Sequence, residues 1–372
     1  MSGSTAPAAI RGQLSNPMKL FGIAVFLVLA VAAAFWFSDY HLFQLTLVVV
    51  YAIAILGLSI VTGFNGQISL GHGAFYAIGA YTTAILMDRY NMPYWMTLPI
   101  SAVVCAVFGF LIGLPALRLG GLYLALTTFA LAVAIPQLLK HKLIEDYTGG
   151  VQGIVILKPD LPFGWKISSD QWIYLFTLGV ACVLFLLAWN LLRGRIGRAM
   201  MAIRDQSLAA EAMGINIAIL KTRTFAVSAM YTGVAGSLGA IVVQFVAPDS
   251  FTLFVSVYFF VGLVVGGVAS LPGAIFGAFF IEFVPNVADQ LSKAAPGAVY
   301  GILLILVMFA APGGMVGVIR ILWRRATGAG NTGGRANTDQ SIGRTGTAAL
   351  AVETPGVTVG TGANPEPVRP SH

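Results

Sequence analysis

Charge is what this chain has least of. Asp, Glu, Lys and Arg make up 9% of its 372 residues and hydrophobic residues 58%, whereas about a quarter of a soluble domain is charged. That balance excludes an ordinary soluble fold and leaves an integral membrane protein. Cysteine is nearly missing as well: Cys105 and Cys182 fall in apolar runs at no ligand-like spacing, which excludes a disulfide framework and argues against a metal pair. No Gly-rich loop ends in Lys followed by Ser or Thr, and GRTGTAAL near the C-terminus lacks the lysine, so there is no P-loop for ATP. The apolar stretches hold no nucleophile beside a base, no metal cluster and no cofactor motif. We therefore assign no catalytic residue, no metal ligand and no cofactor, and a membrane enzyme is the weakest of the function classes considered. The formal charge of +7 does not make a nucleic-acid binder, because the basic residues gather beside the ends of apolar runs, where they act as topology signals.

What is there is a series of apolar runs of about 20 residues, the length that crosses the hydrocarbon as a helix, without the alternation of barrel strands. The chain reads as an all-α polytopic membrane protein of about ten transmembrane helices, near 18–37, 42–62, 66–87, 94–114, 121–138, 171–192, 222–245, 251–270, 272–289 and 297–319. The third and ninth stretches are rich enough in glycine to be broken or re-entrant, which leaves eight spans open. AAAFWFSDY is a poor cleavage site, so the first run, preceded by Arg11 and Lys19, is expected to stay as a start anchor with the N-terminus inside. Alternation then puts Arg118, the loop 193–221 and Arg320, Arg324 and Arg325 inside, as the positive-inside rule asks. The loop 139–170 falls outside, its four lysines offset by Glu145, Asp146, Asp160 and Asp170. Residues 1–17 form a cytoplasmic lead, 18–325 the membrane domain, and 326–372, poor in large apolar residues, a disordered cytoplasmic tail. Within the outer loop, TGGVQGIVILKPDLPFGWKISS mixes apolar residues with glycine and proline, and an ordered cap with a short hairpin is expected.

The loop 193–221 is the long charged interruption between apolar runs. It carries Arg193, Arg195, Arg198, Arg204 and Lys221 against Asp205 and Glu211. Its second half is expected to be a docking helix of about two turns: Asp205 and Ser207 supply cap acceptors, LAAEAM favours helix, and Gly214 suits a left-handed cap. Leu208, Ala210, Glu211, Ala212, Met213 and Gly214 are its candidate contact residues. The alternative is a helix that lies on the membrane surface.

GFNGQISLGHGAFYAIGAY, residues 63–81, is the second informative stretch. Small residues allow close backbone approach, while Asn65, Gln67, Ser69 and His72 bring polar groups to membrane depth. The segment either lines a solute pathway, with Gly73 leaving room beside those four, or packs tightly with its polar groups satisfied. His72 stands without a second ligand, which makes a hydrogen-bonded packing histidine the stronger reading than a metal site. Glu282 is the one carboxylate well inside a span, costly at about 2.5–3.5 kcal/mol if charged and central. It is a candidate for the pathway or a proton relay, with snorkelling as the alternative.

GFNGQISLGHGAFYAIGAY, GLYLALTTFALA, TGGVQGI and GRAMMAIRDQSLAAEAMGINIAILKTRTFAVSAMYTGVAGSLGA together resemble the LivM family of ABC importer permeases for branched-chain amino acids. The resemblance runs from about Leu42 to Ile319, and the ordered combination is specific where each motif alone is not. It implies a multi-pass permease of a bacterial cytoplasmic (inner) membrane with both termini cytoplasmic. The implied partners are a second, LivH-like permease, two cytoplasmic ABC ATPases that hydrolyse ATP in place of this chain, and an extracytoplasmic solute-binding protein. On this resemblance Leu208 to Gly214 match the coupling helix, and alternating access moves the solute. Urea and short-amide permeases share these motifs and are the alternative substrate class. An ion-coupled secondary transporter using Glu282 or His72 is the rival mechanism.

Overall fold

In hydrocarbon a backbone amide has no water to bond, so apolar stretches close their hydrogen bonds internally as helices. The computed structural model describes residues 17–116, 121–158, 167–291, 293, 295–311 and 313–319. The expectations for Arg11, Arg118, Asp160, Arg320, Arg324, Arg325 and the tail lie outside the described residues. The helices are α1 (Pro17–Trp36), α2 (Asp39–Leu58), α3 (His72–Tyr90), α4 (Tyr94–Ala116), α5 (Leu122–Leu139), α6 (Glu145–Thr148), α7 (Ser169–Arg193), α8 (Arg195–Asp205), α9 (Ser207–Ala212), α10 (Ile217–Val243), α11 (Leu253–Gly266), α12 (Leu271–Leu291) and α13 (Pro296–Ala310). A long helix coincides with each of the ten apolar stretches. Among the described residues seven helical segments are long and apolar enough to cross a membrane. The apolar parts of α1 and α5 are shorter, and α3 falls below the others through its glycines, tyrosines, threonines and His72.

α2 and α10 are the centre of the bundle. In each, 78% of the apolar window is buried, against 33% in α4 and 28% in α7, so the outer helices leave many of their large apolar side chains exposed. α10 packs on α2, α3 and α4, and it can do so closely because the facing residues are small. A Cβ on Gly79 of α3 would lie 2.0 Å from the carbonyl oxygen of Gly233 in α10. Hydroxyls fill the remaining polar needs: Thr83 bonds Ser237, Ser101 donates to the Gly233 carbonyl at 3.1 Å, and Tyr231 donates to the Leu184 carbonyl of α7 at 3.0 Å.

The third stretch is broken, the alternative that its glycines had left open, and its helix does not begin at 66. α2 passes into a π-helix, Ser59–Phe64, and residues 65–71 carry no helix before α3 starts at His72, because Gly66 takes a φ of +72° and glycine lets the chain leave the helical path cheaply. Among its described residues the outer loop shows no hairpin pairing with itself. Its strand β1 (Ile154–Val155) pairs antiparallel with β2 (Phe245–Val246), just beyond α10, and Lys140 at the end of α5 reaches Asp249 at 2.5 Å. Both contacts join segments about a hundred residues apart, a pairing that local turn chemistry does not encode.

Candidate functional site

The loop between α7 and α10 folds into two short helices. α8 buries Gly197, Met200 and Ile203, a three-residue spacing that places them on one face. That face packs back onto the bundle and carries α9 with it. α9 ends as Gly214 predicts: with φ of +82°, the amide of Ile215 donates to the Ala210 carbonyl at 3.1 Å and that of Gly214 to Glu211 at 2.8 Å, the paired bonds of a Schellman motif. Its start differs from expectation. Neither Asp205 nor Ser207 caps it; the cap position is Gln206, without a side-chain bond, because Asp205 is held by Arg204 at 3.0 Å.

Five of the six candidate contact residues are turned outward. Leu208 is 82% and Met213 83% exposed, with Glu211, Ala212 and Gly214 also open. Ala210 is buried and seats the helix on the bundle. Beside it, Glu211, Gly214, Asn216 and Lys221 line a mixed polar groove of about 460 Å³. Large apolar side chains held out by a capped helix, next to charges of both signs, have the composition of a protein-contact surface.

The polar residues of the unwound segment come together between α2, α5, α10 and α11. The Gln67 amide donates to the Val61 carbonyl at 3.0 Å, its carbonyl accepts from Thr62 at 2.9 Å, and its side chain reaches the Lys221 carbonyl at 3.5 Å. The Leu70 amide donates to Thr128 of α5 at 3.0 Å, and the Gly73 amide to Ser256 of α11 at 2.8 Å. His72 lies between Ser69 and Ser228, with Nδ1 3.0 Å from the first hydroxyl and Nε2 2.7 Å from the second. Asn65 differs from all of these: it is buried, and both atoms of its side-chain amide, like the hydroxyl of Ser59, lack a partner.

Glu282 sits on α12, half-buried. Its backbone carbonyl accepts from Asn286 at 2.8 Å, while its carboxylate has no hydrogen bond or ion pair among the described residues. It lies within electrostatic reach of Tyr51 on α2 and Tyr76 on α3. Those two rings pack on Phe259 of α11, at 6.0 and 5.4 Å between centroids. Sequence reasoning found the carboxylate but not this aromatic cluster, whose members come from three separate helices.

Residues 40–311 match the family of the branched-chain amino acid transport system / permease component. The chain is 35% identical over 315 residues to the high-affinity branched-chain amino acid transport system permease protein LivM of Escherichia coli K12, covering 78% of this chain and 73% of that protein. It is 27% identical over 296 residues to the permease protein BraD of Pseudomonas aeruginosa, covering 73% and 94%. To the permease protein LivH of Escherichia coli K12 it is 25% identical over 293 residues, covering 69% and 88%. No solved structure matches. A family match from residue 40 to residue 311, joined to the identity with LivM, makes this chain a member of the branched-chain amino acid transport permease family.

Proposed function

We propose that the chain is the membrane-spanning permease subunit of an ATP-driven importer for branched-chain or related amino acids in a bacterial cytoplasmic membrane. Both termini and the loop 193–221 face the cytoplasm. Its partners are a second, LivH-like permease, two cytoplasmic ABC ATPases and an extracytoplasmic solute-binding protein. Hydrolysis takes place on the ATPases, and this chain converts their movement into alternating access.

The observation that carries the reading is α9. A two-turn helix, stopped by Gly214 and seated through Ala210, holds Leu208 and Met213 outward in a charged loop. They fill apolar pockets of the ATPase, while Glu211 pairs with a basic residue of that partner. The pathway runs past the unwound segment, with Asn65, Gln67, Ser69 and Gly73 at one level and Glu282 at another. His72 shapes it by fixing the start of α3. Leu, Ile and Val are the first solutes to try, with urea and short amides as the comparison set. Co-purification tests the reading: wild-type chain is expected to bring an ATPase with it from detergent extracts, and a Leu208→Asp, Met213→Asp variant that still inserts is expected to lose it. An ATPase retained at full level by that variant contradicts the proposal.

A further inference from the structure

The seam between α8, α9 and the unwound segment contains one charged link. The guanidinium of Arg204, the second-last residue of α8, donates from Nη1 to the carbonyl of Gly63 at 3.0 Å. Through Nε and Nη2 it also holds Asp205 at 3.0 Å. Asp205 ends α8, and one residue, Gln206, separates it from α9. Arg204 is the one charged side chain hydrogen-bonded to residues 59–71 among the described residues.

The receiving end is suited to such a contact. Gly63 lies one residue from the end of the π-helix, where carbonyls run out of partners along the helix and the dipole favours a cation. Single π turns inside α-helices gather at functional sites. The side chain of Arg204 lies flat on the loop as well, for a Cβ on Gly66 would meet its Cγ at 2.8 Å. On the far side, a Cβ on Gly63 would meet the amide of Ala269 at 2.6 Å, in the connection between α11 and α12. The segment is also incompletely satisfied as it stands. The Asn65 amide and the Ser59 hydroxyl are buried without partners, an arrangement that favours a second placement of the same residues in which they pair.

We propose that Arg204 is a positioning residue that transmits displacement of α9 to residues 59–71, making this segment the cytoplasmic-side gate of the solute pathway. The inference rests on α9 being the ATPase contact. Pulling α9 moves Asp205, the guanidinium follows its carboxylate, and the carbonyl of Gly63 follows the guanidinium. The π-helix and the loop leading to α3 then shift between their two placements.

The test uses the complete transporter in proteoliposomes, with ATP hydrolysis and solute uptake measured on the same vesicles and amide hydrogen exchange measured on residues 59–71. Arg204→Met is expected to leave assembly and basal hydrolysis intact. Solute moved per ATP should fall roughly tenfold or more, and exchange across 65–71 should rise by a similar factor, the scale of one lost hydrogen bond to a charged group. Arg204→Lys keeps a donor and is expected to recover part of both. Should Arg204→Met fail to fold, Asp205→Asn, which loosens the same guanidinium, is expected to show the smaller loss of the same kind. An unchanged ratio of uptake to hydrolysis, or a falling ratio with exchange unaltered, overturns the proposal. Met213→Asp separates the two levels: if it leaves the ATPases bound and coupled, the reading of α9 fails, whereas the exchange comparison on Arg204→Met still reports whether the tether exists.

Discussion

The hydroxyl of Ser228 lies 2.7 Å from Nε2 of His72 and 2.6 Å from the carbonyl oxygen of Gly57. A carbonyl can only accept, so the serine proton goes to Gly57 and His72 must donate from Nε2. A neutral ring with its proton on Nε2 accepts at Nδ1 from Ser69. His72 thus has both nitrogens occupied, pinning α3 to α2 and α10.

His72→Ala removes two hydrogen bonds and opens a cavity, so it is expected to destabilise the permease by about 3 kcal/mol. His72→Gln can donate to Ser228 and accept from Ser69, and is expected to stay within about 1 kcal/mol of wild type. Thermal unfolding in detergent measures both. Uptake per folded molecule should be retained in His72→Gln, whereas a histidine that carries the coupling proton would make that variant inactive.

Glu282→Gln keeps the shape of the side chain and removes its charge. In an importer driven by ATP, uptake should persist within roughly threefold and remain insensitive to a protonophore, since no step needs this group to titrate. Abolished uptake, with the protein inserted at normal level, would favour the ion-coupled mechanism instead.

Gly79→Ala places a Cβ against the Gly233 backbone, where no rotamer change can relieve it. A loss of roughly 1–3 kcal/mol or more is expected from the forced separation of α3 and α10. Gly301→Ala, with nothing within 4 Å of the new atom, is expected to be neutral or slightly stabilising through helix propensity. Unfolding midpoints of the two variants test the contrast.

Gln244 ends α10 in the left-handed region at a φ of +62°, its amide bonded to the Ala240 carbonyl at 2.9 Å. Gln244→Gly relieves that conformation and is expected to stabilise by up to about 1 kcal/mol, while Gln244→Val is expected to destabilise by a similar amount. Denaturation of both in detergent gives the sign directly.

The sequence made the apolar runs, α9 and the Gly214 cap legible because each is written locally, in run length, propensity or one permissive residue. It also located the polar cluster at 65–73 and left a break in that stretch open, but not its place at Gly66, since glycine permits a helix to continue as well as to stop. α8 was hidden because its arginines read as topology signals and masked the spacing of Gly197, Met200 and Ile203. Arg204 on Gly63, β1 on β2 and the cluster of Tyr51, Tyr76 and Phe259 were beyond reach for a different reason. Each joins residues far apart in the chain, and only packing decides which of many polar or aromatic groups meet.

The central claim is that α9 seats on an ATPase, and cross-linking tests it most directly. In a background with Cys105 and Cys182 replaced, Met213→Cys carrying a short photoreactive label is expected to cross-link to the ATPase subunit in the assembled transporter. The same variant, left unlabelled, is expected to stay unreactive toward a membrane-impermeant thiol reagent added outside intact cells. Labelling of the introduced thiol from outside, or cross-links to lipid alone, would contradict the account.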